Sequence, residues 1–227
     1  MVGTPAADRG VLDTKLKADP PKWDTDVSLW DVCASFSVMS VHDIGETGAR
    51  NRTRRAIVEA AIGVMTDNPT APLSEIADAA GVGRSTLHRY FPERMDLLRA
   101  VALQVHAASN AAIEAADPEC GPMIPALRRV VESQLDLGPI MQYVYTEPLI
   151  QSDRELAAFL DTGDEVISEI LSRVTAEGPA YPPGWSRRVF WSLLLTGYSA
   201  VRDDGIPRQQ VVDAIMNSLT RGTITSP

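Results

Sequence analysis

The chain has 227 residues, a formal net charge of −9 and two cysteines, Cys33 and Cys120. That length holds one or two domains with a sizeable core. The acidic balance argues against a general nucleic-acid coat, and two scattered cysteines exclude a disulfide framework and fit a reducing compartment. No apolar run approaches the roughly 20 residues needed to cross a membrane, and no basic-then-apolar signal pattern opens the chain, so the reading is a cytoplasmic protein with no membrane partner.

Residues 1–48 read as a disordered N-terminal extension. All three lysines, Lys15, Lys17 and Lys22, lie there, and every later basic side chain except histidine is Arg. The stretch is rich in Pro, Asp, Gly and Thr, with only a weak apolar run from Val27 to Met39. Met39 offers another possible start, and residues 1–38 are expected to have no folded role. An arm reaching into a DNA minor groove is the competing reading, but an acidic arm suits DNA poorly. Trp30 and Phe36 are the residues that argue for some docking.

Residues 49–105 read as a three-helix domain. An amphipathic helix runs from Arg50 to Met65, with Ile57, Ala60, Ala61 and Val64 on one side. Two short helices bent around Gly81 follow, over Ser74 to Phe91. Ile76, Ala77 and Ala80 give the first an apolar face, and Ala77 is small enough for the second to cross closely. Gly81 sits where the chain must turn through a conformation that costs glycine nothing. Val82 plugs the corner. Leu87 and Phe91, at i and i+4, anchor the second helix. That leaves Arg84, Ser85, Thr86, His88, Arg89 and Tyr90 for the outer and flanking surfaces. A short helix rich in Arg, Ser, Thr and His on a compact support suits phosphates and base edges. Pro92 then opens a new helix with Leu97, Leu98, Val101 and Val105 as its apolar face.

Charge divides the same way. Residues 50–99 carry +2, residues 1–49 carry −4 and residues 100–227 carry −7. The only net basic region is the one with the helix-turn-helix pattern, and Arg50, Arg52, Arg54 and Arg55 crowd its leading edge. Basic residues at a helix N-terminus oppose the macrodipole. A solvated helix start is the plain reading of that cluster; a nearby phosphate backbone explains why the charge is there.

The segments RRAIVEAA and IADAAGVGRSTLHRYFPERMDLLRAV, at this spacing, resemble the DNA-binding domain of TetR-family transcriptional regulators. The resemblance covers about residues 50–105. Where the family usually shows Leu-Tyr-x-His-Phe, this chain has Leu87-His88-Arg89-Tyr90-Phe91. The family's usual Lys after the recognition helix is Arg94, and its capping residue, often Ser, is Gly83. The resemblance implies double-stranded DNA with a palindromic operator as partner, and contacts from Arg52, Ser74, Arg84, Ser85, Thr86, His88, Arg89, Tyr90 and Arg94. Arg52 and Arg94, at helix starts, are expected on phosphates.

Residues 106–227 read as a helical domain for ligand binding and dimerisation. Asp117-Pro118 and Gly121-Pro122 end the helix that starts near Glu93. Helical patterns follow at 123–137, 139–149, 153–177, 185–203 and 207–221, and no strand is expected. Phe190, Trp191, Leu194, Leu195, Tyr198 and Val201 form one apolar stripe; Val211, Val212, Ile215, Met216 and Leu219 form another. Together they exceed what one small bundle needs. The resemblance implies that these helices pair with their copies in a homodimer; ordinary core packing is the alternative. It also implies a pocket for an unidentified small-molecule effector among the middle helices. Met123, Leu127, Met141, Tyr145, Phe159 and Trp191 are its candidate lining, since Met and aromatics suit an adaptable apolar pocket. Glu147, Gln151 and Arg187 could add polar contacts.

Catalytic readings find no support. Gly81-Val82-Gly83 lacks the Lys and preceding strand of a phosphate loop. His42, His88 and His106 read as isolated, neither cysteine has a partner at metal-ligand spacing, and the acidic residues read as scattered over helix surfaces. No catalytic residue, metal or cofactor is expected. The expected protein is an all-α regulator: an N-terminal helix-turn-helix three-helix DNA-binding domain plus a C-terminal helical bundle. It acts as a repressor released from its operator by a small apolar or amphipathic ligand. The alternative is a DNA-binding protein of the same fold with no effector.

Overall fold

The computed structural model describes residues 46–174 and 181–220. The expectation for residues 1–38, and Met39 as a start, lie outside them. Eleven helices and no strand occur among the described residues, and none of those helices is long and apolar enough to cross a membrane.

The first helices follow the apolar spacing closely. Helix α1, Glu46–Asp67, buries Ile57, Val58, Ala61 and Met65. Ala60 and Val64, expected on that face, are half-buried at its margin. Helices α2, Leu73–Ala79, and α3, Arg84–Tyr90, pack on each other, and α2 packs on α1. Helix α4, Arg94–Ala115, starts with the Glu93 amide donating to the Asp96 carboxylate at 3.0 Å, half of a capping box. It buries Leu97, Leu98, Val101 and Val105 as the pattern predicts, then continues inward through His106, Ser109 and Ile113. Helix α4 is the spine of the molecule, touching α1 and four later helices.

Those later helices are shorter than the sequence suggests. Helix α5 is Met123–Asp136. The stretch expected as one helix at 139–149 is two, α6 at Pro139–Thr146 and α7 at Pro148–Ser152, because Pro148 supplies no amide to continue the ladder. The stretch at 153–177 also divides, into α8 at Arg154–Leu160 and α9 at Glu165–Val174. Between them Gly163 takes φ +86, a backbone that ends a helix. A Cβ there would lie 2.3 Å from the Asn110 amide nitrogen, so the loop also needs glycine for its close approach to α4. Helices α10, Trp185–Arg202, and α11, Arg208–Ser218, are the last two among the described residues.

One continuous apolar core runs from Ile57 to Leu219. This narrows the reading of the two C-terminal stripes as surplus. Phe190, Leu194 and Tyr198 are at most 3% exposed within a single chain, and Val211, Val212, Ile215, Met216 and Leu219 at most 5%. The reason is Gly197. A Cβ on it would come within 3.0–3.2 Å of Ile215, Val211 and Leu135, so α10 lies close on both α11 and α5. The second stripe and half of the first are consumed against each other and against α5, while Trp191, Leu195 and Val201 stay half-buried on α10. Gln134 sits at the same junction, fully buried. It accepts from the Ser109 hydroxyl at 2.6 Å, and its backbone carbonyl accepts from Tyr198 at 3.0 Å.

Candidate nucleic-acid interface and inner cluster

The bend between α2 and α3 is set by local hydrogen bonding. Gly81 takes φ +65. Its amide donates to the Asp78 carbonyl at 3.1 Å, and the Val82 amide to the Ala77 carbonyl at 3.0 Å. These are the two bonds of a Schellman termination, which needs a left-handed residue at the position Gly81 holds. Gly83 is extended, and its carbonyl accepts from the Thr86 and Leu87 amides at 2.9 and 3.0 Å, starting α3 without a side-chain cap. Leu87 and Phe91, each 1% exposed, anchor α3 on the core as expected.

Four of the candidate contact residues, Arg84, Ser85, His88 and Arg89, are exposed on α3; Thr86 and Tyr90 are half-buried at its flanks. The Arg89 guanidinium lies 5.5 Å from the Tyr90 ring centre, and Arg54 lies 5.1 Å from that of Phe91. Tyr90 thus supports Arg89 from below. Ser74 is half-buried on α2, and Arg52 is exposed on α1. Arg94 is placed differently: its guanidinium donates to the Ala71 carbonyl at 2.8 Å and the Pro69 carbonyl at 3.3 Å, in the loop between α1 and α2.

The middle helices enclose a polar and aromatic cluster. Asp164, 5% exposed, begins the turn into α9. Its carboxylate accepts from Arg187 Nε at 3.0 and 2.8 Å and from the Trp191 indole N–H. The same guanidinium donates to Asp161 at 2.8 Å. Trp191 stacks on Tyr145, centres 6.1 Å apart and planes 19° from parallel, and meets Phe190 edge-on at 5.3 Å. The Tyr145 hydroxyl lies 3.1 Å from His106 Nδ1, and His106 Nε2 lies 3.3 Å from the Asn110 amide. Phe159 packs on the His106 ring at 5.1 Å. Burial holds the His106 pKa below its ordinary value, against the pull of the Asp164 and Glu165 carboxylates. Burial, with Asp164 adding to it, drives the Tyr145 phenol well above its own.

Of the six candidate ligand residues, the structure brings Tyr145, Phe159 and Trp191 together. Met141 is buried one turn before Tyr145, Leu127 is buried on α5, and Met123 is 37% exposed at the start of that helix. Two corrections follow for the polar residues. His106 is not isolated, and Asp164 is not on a surface. The sequence signal for Asp164 was present: Arg187 and Trp191, four residues apart on one helix face, both need an acceptor. Among the described residues no group of His, Cys, Asp and Glu is placed to hold a metal.

Comparison with known proteins agrees with this geometry. Residues 57–101 match the family model described as bacterial regulatory proteins, tetR family. The chain is 65% identical over 182 residues to the HTH-type transcriptional repressor LfrR of Mycolicibacterium smegmatis, covering 80% of this chain and 96% of that one. A crystal structure of LfrR in complex with proflavine superposes with a TM-score of 0.70 at 64% identity, over 78% of this chain and 99% of that one. A second LfrR crystal structure gives a TM-score of 0.59 at 58% identity, over 75% of this chain and 99% of that one. Identity at that level across nearly the whole of a relative, joined to the bend at Gly81 and the exposed face of α3, places the chain in the TetR family of DNA-binding transcriptional regulators.

Proposed function

We propose that the chain is a repressor that binds a palindromic operator as a homodimer and leaves it when a flat aromatic molecule enters the cluster around Tyr145 and Trp191. The DNA half of the reading is carried by α3, whose Arg84, Ser85, His88 and Arg89 project to solvent from a buried Leu87–Phe91 anchor. The ligand half is supported by the stacked Tyr145–Trp191 pair over the buried Asp164 carboxylate, and by the likeness to a relative solved with proflavine. In this reading residues 49–105 form the DNA-binding domain and residues 106–227 the ligand-binding and dimerisation domain, with α4 running through both. The protein works in the cytoplasm, where its DNA is. Release is differential binding: the ligand favours a conformation whose two recognition helices are wrongly spaced for successive major grooves.

The test is selection of bound fragments from the source genome, followed by titration of the recovered duplex at several salt concentrations. Arg89→Ala should weaken that duplex by about 1–3 kcal/mol if the side chain reads a base, with folding unchanged. Proflavine should bind, quench the tryptophan fluorescence and lower the affinity for the duplex. Full binding by Arg89→Ala would remove α3 as the reader, and a duplex affinity indifferent to bound proflavine would remove the release step.

A further inference from the structure

Arg187 reads from the sequence as a polar contact for a ligand, yet its guanidinium is already committed. Its Nε donates to both oxygens of the Asp164 carboxylate, at 3.0 and 2.8 Å. Its Nη1 donates to the Asp161 carboxylate at 2.8 Å, and its Nη2 to the Asp161 carbonyl at 3.4 Å. The two acidic partners differ in setting. The Asp164 side chain is 7% exposed and the Asp161 side chain 72%, with Arg187 between them at 25%. One guanidinium thus bridges an inner and an outer carboxylate across the turn between α8 and α9. The Trp191 indole, one turn along α10, donates to the same inner carboxylate, and its ring stacks on Tyr145. The Asp164 charge therefore sits at the edge of the Trp191 ring, where a flat molecule lying against that ring meets it. A buried carboxylate needs a cation beside it, and that cation is one of the protein's own.

We propose that Arg187 is a built-in competitor that sets which charges the cluster accepts: a planar cation binds by taking the Asp164 carboxylate while Arg187 withdraws to Asp161. This deepens the ligand reading above and rests on it. Two cations cannot share the one buried carboxylate at full strength, because each repels the other. The ligand's gain at Asp164 is offset by the loss of the Arg187 pair there, and cation affinity is the difference between the two. Arg187 can leave without becoming unpaired, since Nη1 and Nη2 already hold Asp161 on the solvent side. A neutral flat molecule gains nothing at the carboxylate and leaves the guanidinium where it is. Arg187 thereby sets a threshold: weakly pairing cations fail to displace it, and strongly pairing ones succeed.

Two dyes of different charge test this by calorimetric titration. Proflavine is cationic at neutral pH; acridine has the same fused rings without the amino groups and is neutral there. Arg187→Met keeps the apolar stem and removes the charge. It should bind proflavine about 10-fold more tightly, the scale of one charge-assisted hydrogen bond, and acridine as the wild type does. Asp164→Asn removes the contested charge, so adding Arg187→Met to it should leave proflavine affinity unchanged, which closes a double-mutant cycle. Arg187→Met strands a buried carboxylate, and thermal melting checks its fold. Asp161→Asn leaves the buried pair intact and denies the guanidinium its second carboxylate. It should bind proflavine more weakly and acridine equally well, whether or not Arg187→Met folds. Proflavine bound no tighter by a folded Arg187→Met, a gain that acridine shares, or proflavine affinity unmoved by Asp161→Asn overturns the proposal. A wild type that binds neither dye overturns the ligand reading and this proposal with it; one that binds proflavine with an affinity indifferent to Arg187 and Asp161 overturns the proposal alone.

Discussion

His106 ties the inner cluster to solution conditions more directly than any other described residue. Its neighbours fit one neutral tautomer: the Asn110 amide donates to Nε2 at 3.3 Å, Nδ1–H donates to the Tyr145 oxygen at 3.1 Å, and the Tyr145 hydroxyl donates to the Leu160 carbonyl at 3.4 Å. A proton on Nε2 would face the Asn110 amide hydrogens and break that order. Burial places the folded pKa below the ordinary value of 6.5, although Asp164 and Glu165 oppose it. The unfolded chain therefore takes up the proton first as pH falls. Stability from neutral His106 is present above about pH 6.5 and is lost as pH drops toward the folded pKa. Urea midpoints at about pH 7.5 and 5.5 should differ more for the wild type than for His106→Gln. Equal differences in the two proteins would show that His106 contributes nothing to the acid sensitivity.

At the level of the helices, glycines with opposite surroundings give opposite predictions. Gly197 in α10 has side-chain atoms of three core residues within 3.2 Å of where a Cβ would stand, whereas Gly63 on the outer face of α1 has nothing within 4 Å. Gly197→Leu should cost about 1–3 kcal/mol by overpacking. Gly63→Ala should gain about 0.5–1 kcal/mol through helix propensity. Urea unfolding of both variants checks the pair, and a Gly197→Leu protein as stable as the wild type would mean that α10 can ride outward freely. The same glycine shows where the sequence was readable. The helix-turn-helix could be read because its signals are local: Gly81 ends α2, and Leu87 and Phe91 anchor α3 one turn apart. The stripes on α10 and α11 were equally visible as patterns, but whether they face the core or a partner depends on how near Gly197 lets the helices come, which no periodicity reports. The division between α8 and α9 was hidden for a similar reason. Asp161-Thr162-Gly163-Asp164 contains no proline, and the partners that hold Asp164, at positions 187 and 191, lie far along the chain.

For the whole molecule, the largely buried stripes narrow which surface a second copy can use. The palindromic operator proposed above would present half-sites about 34–36 Å apart, each needing a recognition helix, so the proposed regulator works as a dimer. The proposed contact is the outward strip left on α10 and α11. Ser192 and Thr196 are exposed on the first, and Ala214, Asn217 and Ser218 on the second. These are small or short side chains, which let paired helices approach closely around a two-fold axis where the same patch meets itself. Charge agrees with the proposed arrangement, in which the −7 of residues 100–227 would stay clear of the DNA and the +2 of residues 50–99 would meet it. Thr196→Arg combined with Ala214→Arg sets like charges against each other across such an axis while leaving the protomer's core untouched. Ile215→Glu, by contrast, would put a charge at a site 4% exposed and unfold the chain instead of separating it. Light scattering should therefore report a dimer for the wild type at micromolar concentration and a folded monomer for the double Arg variant. The monomer should lose about 10²–10⁴ in operator affinity, since its second half-site contact is no longer intramolecular. A monomeric wild type would end the dimer reading; a double Arg variant that stayed dimeric would move the interface off α10 and α11.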